Sequence, residues 1–407
     1  MAKKYAGFLV LLSFLLIAQS VLAEAAPGGE EVAVPQISNV YQKEIPDNEA
    51  MAFLKKMGFG WNLGNTFDAY GRGGARNEMN DESMWVGVRT TEAMIAAVHD
   101  AGFTTLRIPV SWHNHVSADD FTISAQWLDR VQQVADWAIQ RGMYVILNTH
   151  HDEGYDYFYP LNAYYEGSEK YITAIWGQVA DRFAAYDEHL IFESMNEPRL
   201  KDHANEWWFD AHSADCLEAA DCINRLNQAF VDTVRAAGGN NATRYLMVPG
   251  YDASPDGVLR DQFVMPMDTA DNRIIVSVHA YTPYSFALQD GGTARFAPAP
   301  QQTTEIAQFM NGLYNKYIVN GIPVVIGEFG ARDKNGNLQD RVNFAAYYAA
   351  FASIRNLPVL WWDNNAFTGS GENFGLLRRQ DCSWRYPQIV EALQQYAGYD
   401  KMPVLEQ

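Results

Sequence analysis

Two glutamates stand where short apolar runs end. Glu197 closes LIFESMNEP (190–198), and Glu328 closes IPVVIGEFG (322–330). A charged group at the edge of an apolar run is costly unless something pairs with it or uses it. Two carboxyl groups that face each other across a crevice can cut a glycosidic bond. One gives a proton to the leaving oxygen, and the other attacks the anomeric carbon or activates a water. A gap of about 5–5.5 Å means retention of configuration and about 6.5–9.5 Å means inversion; the sequence leaves that gap unmeasured. Further polar groups end other runs in the same manner: Arg107 in FTTLRIPV (103–110), His150 in YVILNTHH (144–151), Asn196 beside Glu197, His279 and Tyr281 in IIVSVHAY (274–281), and Trp362 in PVLWWDNN (358–365). A single glutamate in such a place is more often an ion-pair partner. The coincidence over several runs favours catalysis.

Something must bring these ends together. With FGWNLGN (59–65) and YLMVPG (245–250), the sequence has eight runs rich in β-branched and aromatic residues. Helical patterns lie between them at 92–101, 125–142, 169–186, 222–237, 304–319, 339–355 and 385–397. AQWLDRVQQVADWAIQRG shows apolar spacing near 3.6 and a glycine stop. Eight βα units in one domain predict an α/β fold, the (β/α)8 TIM barrel, whose strand C-termini share one face. An open doubly wound sheet competes, but no Gly-rich phosphate loop follows the first run. Strand alternation places Ile275, Ser277 and His279 inside, and pairs Asn148 with His150, Met195 with Glu197 and Ile326 with Glu328. The same alternation favours Trp362 over Trp361 as the ring facing the crevice. Partial burial and a nearby Glu328 are expected to raise the pKa of Glu197, so that it carries a proton to donate.

The chain has 407 residues, 48% hydrophobic and 13% aromatic, with 49 Asp and Glu against 30 Lys and Arg. A net charge of −19 argues against nucleic acid or anionic membrane as partner. Residues 1–23 read as a signal peptide, with Lys3 and Lys4 before the apolar stretch Phe8–Ala18 and Val21-Leu22-Ala23 at the cleavage site. The apolar stretch is short for a membrane span. The mature protein is therefore expected to be secreted or periplasmic and free of the membrane, with a flexible leader over 24–46 and the catalytic domain over 47–400. Cys216 and Cys222 are close enough in sequence to form a loop disulfide. Asn241-Ala242-Thr243 is a glycosylation sequon. Oligomeric state is not legible.

Taken in order, GWNLGNTFDA, LRIPVSW, NTHHD, MNEP (195–198), HAY (279–281) and GEFG (327–330) resemble glycoside hydrolase family 5. The similarity is strongest to its bacterial endo-β-1,4-glucanase branch, subfamily 4, which also holds xyloglucanases and lichenases, and it runs from about Gly58 to Arg379. A lone NEP or GEF is weak evidence; the ordered set is specific. The resemblance implies a retaining endoglucanase (cellulase) acting on β-1,4-glucan by double displacement, with Glu197 as general acid/base and Glu328 as nucleophile. It further implies that Arg107 holds Glu328 ionised and that Tyr281, beside His279, hydrogen-bonds it. Asn196 then takes the sugar 2-hydroxyl, His150 contacts the cleaved sugar, and Trp362 forms its floor. Asn62, Asn65, His113 and His151 match cleft-lining positions. Xyloglucan, lichenan or mannan are alternative substrates of the same family. A non-catalytic glycan binder would need a lost carboxylate, and neither is missing. No cofactor or metal is expected, because the His-x-His of metal-dependent barrels is absent. Trp61, Trp112, Trp207 and Trp208 are equally readable as sugar platforms or packing, whereas Trp127 and Trp137 read as helix packing.

Overall fold

The computed structural model describes residues 32–71, 79–369 and 371–398. The chain divides into two units, Met1–Val32 and Ala33–Gln407, and all the elements named here belong to the second. The expected signal peptide and residues 24–31 of the expected leader lie outside the described residues.

Eight parallel strands close a barrel in sequence order: β1 Gly60–Leu63, β2 Thr105–Ile108, β3 Tyr144–Asn148, β4 Leu190–Glu193, β5 Leu246–Pro249, β6 Ile274–His279, β7 Val324–Phe329 and β8 Val359–Asp363. β1 pairs with β8 through Gly60↔Leu360 to Leu63↔Asp363. All eight expected runs are strands, so the single (β/α)8 architecture holds. Burial on both faces explains their near-continuous apolar character.

The outer helices follow from periodicity. In Ala125–Ile139 the buried residues Trp127, Leu128, Val131, Val134, Ala135 and Ala138 form one stripe, which a 3.6-residue repeat turns toward the barrel wall. Trp127 stacks on His115 with ring centroids 3.6 Å apart, so it packs, as expected. Besides the short helices Asp81–Met84, Pro255–Leu259 and Tyr284–Ala287, a longer one escaped the sequence reading, Glu49–Met57. Asn48 caps it by accepting from the Met51 N–H. Its Phe53 stacks on Tyr245 and meets Tyr144 edge-on. Both tyrosines stand at strand beginnings, so this helix closes the end of the barrel opposite the catalytic ends.

Strict alternation fails at one place that matters. Between β6 and β7 the register runs Val278↔Ile326 and then His279↔Glu328, so Gly327 is an extra residue. A bulge of this kind bends the strand and re-aims side chains. Here it sets Glu328 opposite His279. A side chain at Gly327 would meet the His279 ring at 3.3 Å.

Three expectations change. Residues 33–46 pack as a strap on the barrel instead of forming a flexible leader. Ile37 and Val40 are buried, and the Tyr396 hydroxyl accepts from the Ile37 N–H at 2.9 Å and donates to the Pro35 carbonyl at 2.7 Å. Cys216 and Cys222 are free thiols on one helix, Ala214–Ala236. Six residues of helix separate Cα atoms by about 9 Å, beyond disulfide reach. Asn241 is buried and donates its amide to the Ala180 carbonyl, which leaves it unsuited to carry a glycan.

Tyr396→Phe deletes the hydroxyl that ties the strap to the last helix, Pro387–Gln395. The expected loss is about 1–3 kcal/mol, the cost of leaving buried backbone groups unpaired. A lowered urea midpoint with unchanged activity at room temperature checks it.

Candidate active site

Arg107, on β2, is fully buried at the centre of the site. Its Nε donates to Glu193 Oε2 at 2.8 Å, its Nη1 to Glu328 Oε1 at 2.6 Å and to Asn62 Oδ1 at 3.0 Å, and its Nη2 to Asn196 Oδ1 at 2.8 Å. Burial alone would weaken this cation, but Glu193 and Glu328 more than offset it. The guanidinium therefore stays charged and is held in one orientation by the planar fork of donors.

Each partner is fixed in turn. Glu193 is the last residue of β4 and accepts from the Ser277 hydroxyl at 2.5 Å, which puts Ser277 inside the barrel as alternation predicts. Burial pushes the Glu193 carboxyl up, but Arg107 and His279 hold it down at about 2. Asn62 passes one amide hydrogen to the Gly327 carbonyl at 2.9 Å, so it pins the bulge to Arg107. Asn196 spends its oxygen on Arg107, which fixes the orientation of its amide.

Glu328 receives a second hydrogen bond from the Tyr281 hydroxyl at 2.9 Å. Glu197 lies opposite, its Oε1 2.8 Å from His279 Nδ1. One oxygen of Glu197, one of Glu328 and a ring nitrogen of His279 all lie within 4.8 Å of one another. Two carboxyl groups far apart in sequence thus share one crevice. Burial opposes a charge on His279, yet Glu328, Glu193 and Glu197 raise its pKa to about 10. The ring is therefore an imidazolium that donates to Glu197.

That donation reverses one expectation. Burial does push the Glu197 carboxyl up, but the His279 hydrogen bond and charge, with Arg199 and His151, bring it below the ordinary carboxylate value. Opposing Glu328 is not what sets it; the cations around it are.

His150 behaves in the opposite way. Burial, with the charges of His151 and Arg107, drives its pKa well below the usual value. The Val110 N–H takes Asn148 Oδ1 at 3.0 Å, so the Asn148 amide nitrogen, 3.1 Å from His150 Nδ1, is a donor. His150 is then neutral with its proton on Nε2. Its ring lies parallel to Trp362, with centroids 5.6 Å apart. Gly64 makes room for that indole: an added Cβ would sit 2.7 Å from it.

Comparison with known proteins agrees with this geometry. A family model described as cellulase (glycosyl hydrolase family 5) matches residues 67–368. The chain belongs to glycoside hydrolase family 5. Endoglucanase 1 and endoglucanase B of Ruminococcus albus are 42% and 44% identical to it, covering 92% and 91% of this chain and 88% and 86% of theirs. Among solved structures, a family 5 lichenase from Caldicellulosiruptor sp. F32 superimposes with a TM-score of 0.88 at 53% identity, covering 90% of this chain and all of that one. A GH5-4 broad-specificity endoglucanase from Ruminococcus champanellensis gives 0.79 at 44%, covering 86% of this chain and 99% of that one.

In this family 5 protein the sequence-expected residues fall into two groups. Glu197, His279, Tyr281, Glu328, His150, Asn196 and Trp362 gather at the strand ends. Arg107 and Asn62 are 0% exposed and stand behind the carboxylates, Arg107 against Glu328 and Asn62 against Arg107, rather than on the open face of the crevice. His151 is partly exposed and contacts Tyr70 and Trp85, on one wall of the crevice. Trp361 points outward to the Phe374 carbonyl. Trp61 and Trp112 are fully buried and donate to Asp363 and to the Asn148 carbonyl, so both pack. Trp207 and Trp208 remain 55% and 61% exposed.

Sequence reasoning offers Glu193 only as a plain ion-pair partner for Arg107 and does not count it in the site, although a glutamate and an arginine inside apolar strands must find each other. It also missed Arg199, whose Nη1 donates to the Glu197 carbonyl at 2.9 Å and which neighbours Glu153 and Glu206. As for ligand-holding groups, Asp68, His150 and His151 also bring one ligand atom each within 4.8 Å. The Asp68 oxygens already accept from the Asn65 and Thr66 amides.

Glu193→Gln breaks a buried ion pair and should cost about 3–5 kcal/mol near neutrality. Because Glu193 is held near 2 against an ordinary 4.5, its contribution is present above pH 4.5 and fades as pH falls toward 2. Denaturation midpoints of wild type and variant should therefore converge progressively below pH 4.5.

Proposed function

We propose that this protein is a secreted, retaining endo-β-1,4-glucanase that works by double displacement, with Glu328 as nucleophile and Glu197 as general acid/base. The observation that carries the reading is the approach of the two carboxyl groups to within 4.8 Å. Family membership and the endoglucanase names of its relatives support the substrate class.

The side chains suggest how the steps run. A sugar resting on Trp362 would place its anomeric carbon over Glu328, which Arg107 and Tyr281 hold in place. Glu328 attacks, the glycosidic C–O bond breaks, and Glu197 gives its proton to the departing oxygen. Glu197, now ionised, takes a proton from water, which attacks the glycosyl-enzyme ester and frees Glu328. The Asn196 N–H2 and the His150 Nε2–H can donate to sugar hydroxyls. Hydrogen bonds of this kind, above all to the 2-hydroxyl, strengthen as positive charge develops on the sugar. A second substrate preference has its own support. The lichenase shares more of its residues with this chain than the Ruminococcus champanellensis enzyme does, so mixed-linkage glucan is the first alternative to cellulose-type chains.

The test is hydrolysis of carboxymethylcellulose and barley β-glucan by wild type, Glu197→Ala and Glu328→Ala. Expected losses are about 10²–10⁴-fold for Glu197→Ala and complete loss for Glu328→Ala. NMR should show the β-anomer forming first. Wild-type turnover in both variants refutes the assignment. Faster initial rates on barley β-glucan favour the lichenase preference.

Export rests on Lys3, Lys4, the apolar stretch Phe8–Ala18 and the small residues before Glu24. Among the described residues no helix is long and apolar enough to cross a membrane. N-terminal sequencing of protein recovered outside the cytoplasm should begin at Glu24.

A further inference from the structure

The chain that leads from β3 into the helix Tyr165–Arg182 carries five tyrosines in twelve residues, GYDYFYPLNAYY over 154–165. Their side chains divide. Phe158 and Tyr159 are buried, and Tyr157 packs against His113 and Tyr171, with ring centroids 5.2 Å from each. Tyr155 and Tyr164 stay 52% and 37% exposed, yet neither hangs free. The Tyr155 ring stacks on Tyr159 with centroids 4.3 Å apart, and Tyr164 meets Tyr155 at 5.1 Å and Tyr159 at 5.4 Å. Single exposed tyrosines are ordinary. Two held together over a buried third form a platform that the core does not require.

The platform is anchored from beneath. Tyr159 donates its hydroxyl to the Lys201 carbonyl at 3.0 Å and its N–H to Ser168 Oγ at 2.9 Å. The Gly154 N–H donates to the Phe158 carbonyl at 2.8 Å, and Lys201 Nζ to the Glu153 carbonyl at 3.4 Å. Rings fixed in this way lose little freedom when a ligand covers them.

The same contacts place the platform relative to the crevice. Lys201 lies four residues beyond Glu197, a stretch of about 14 Å at full extension. In the closed barrel of eight, β4 stands opposite β8, and β8 carries Trp362. A glucan whose cleaved sugar rests on Trp362 therefore passes Glu197 and runs on toward the rim that holds Tyr155 and Tyr164. Glu197 serves the leaving oxygen, so this rim faces the departing part of the chain. Tyrosine suits such a partner, because its apolar face packs on the C–H side of a sugar ring and its hydroxyl bonds the polar edge.

We propose that Tyr155 and Tyr164, backed by Tyr159, form a remote binding site for the departing part of a long β-glucan chain, outside the catalytic crevice. This rests on the reading of β-glucan as substrate. The site touches no reacting atom and holds the chain equally before and during bond cleavage. Binding of that uniform kind lowers KM and leaves kcat alone. Short substrates that end at the cleaved bond do not reach it.

The experiment uses the full chain as wild type, Tyr155→Ala, the double variant Tyr155→Ala/Tyr164→Ala and Tyr155→Trp. Steady-state rates are measured on barley β-glucan and on p-nitrophenyl β-cellobioside, whose two sugars lie on the Trp362 side of the cleaved bond. Native gels containing barley β-glucan or amylopectin report binding, with Glu328→Gln added to every variant so that the polymer survives the run. The double variant should show a KM on β-glucan about five- to tenfold higher with kcat within about twofold, and should lose its retardation in the β-glucan gel. Its kinetics on the aryl cellobioside should stay within about twofold of wild type. Tyr155→Trp keeps an aromatic face and should keep the retardation.

An unchanged KM on β-glucan together with unchanged retardation in the double variant overturns the site. Equal losses on both substrates overturn it too, since they mean that the loop only props the crevice through Tyr157 and His113. Retardation by amylopectin that depends on the same tyrosines refutes a site for β-linked chains. If wild type releases no sugar from β-glucan, the substrate reading fails and the site falls with it. If wild type cleaves β-glucan and the double variant matches it in rate and retardation, the site alone fails.

Discussion

A single buried cation organises the catalytic end of this barrel. Arg107 arrives from β2 and reaches β1 through Asn62, β4 through Glu193, the segment after β4 through Asn196, and β7 through Glu328. Removing a guanidinium from water is expensive, and its attraction to two carboxylates offsets that cost only when the remaining donors are also used. Here they are. The same contacts that satisfy Arg107 settle the ionisation of Glu193, the amide orientation of Asn196 and the direction from which Glu328 faces the crevice.

Around this cation the charges alternate with little tolerance for loss. His279 is protonated because three glutamates surround it, and Glu197 is acidic because His279 is protonated. His150, a short way around the rim, is neutral because burial and nearby cations both disfavour its charge. Two histidines with the same intrinsic chemistry thus take opposite states. Burial weakens the charged form of both, and the sign of the neighbours decides which of them keeps it.

Much of this was legible in the residues. Strands with β-branched and aromatic content alternated with 3.6-residue stripes, and the barrel follows from that rhythm. The polar residue at the end of each run located Glu197, His279, Tyr281 and Glu328. What escaped has a physical cause in each case. The Gly327 bulge is a register shift between neighbouring strands, which no periodicity within one strand can announce. Asn62 and Arg107 carry polar side chains like any ligand contact, and only the packing of three strands reveals that they stand behind the carboxylates. The neutral ring of His150 and the acidic Glu197 depend on groups distant in sequence. The strap over residues 33–46 looked unstructured because its anchors are carbonyls and amides held by Tyr396 and Tyr314, not a repeating apolar pattern.

That strap has a geometric corollary. Tyr396 grips both the chain that enters the barrel and the helix that finishes it, so the two described extremities emerge from a shared patch. Whatever is fused at either extremity would hang from the same side of the domain, and joining them directly would demand little extra polypeptide.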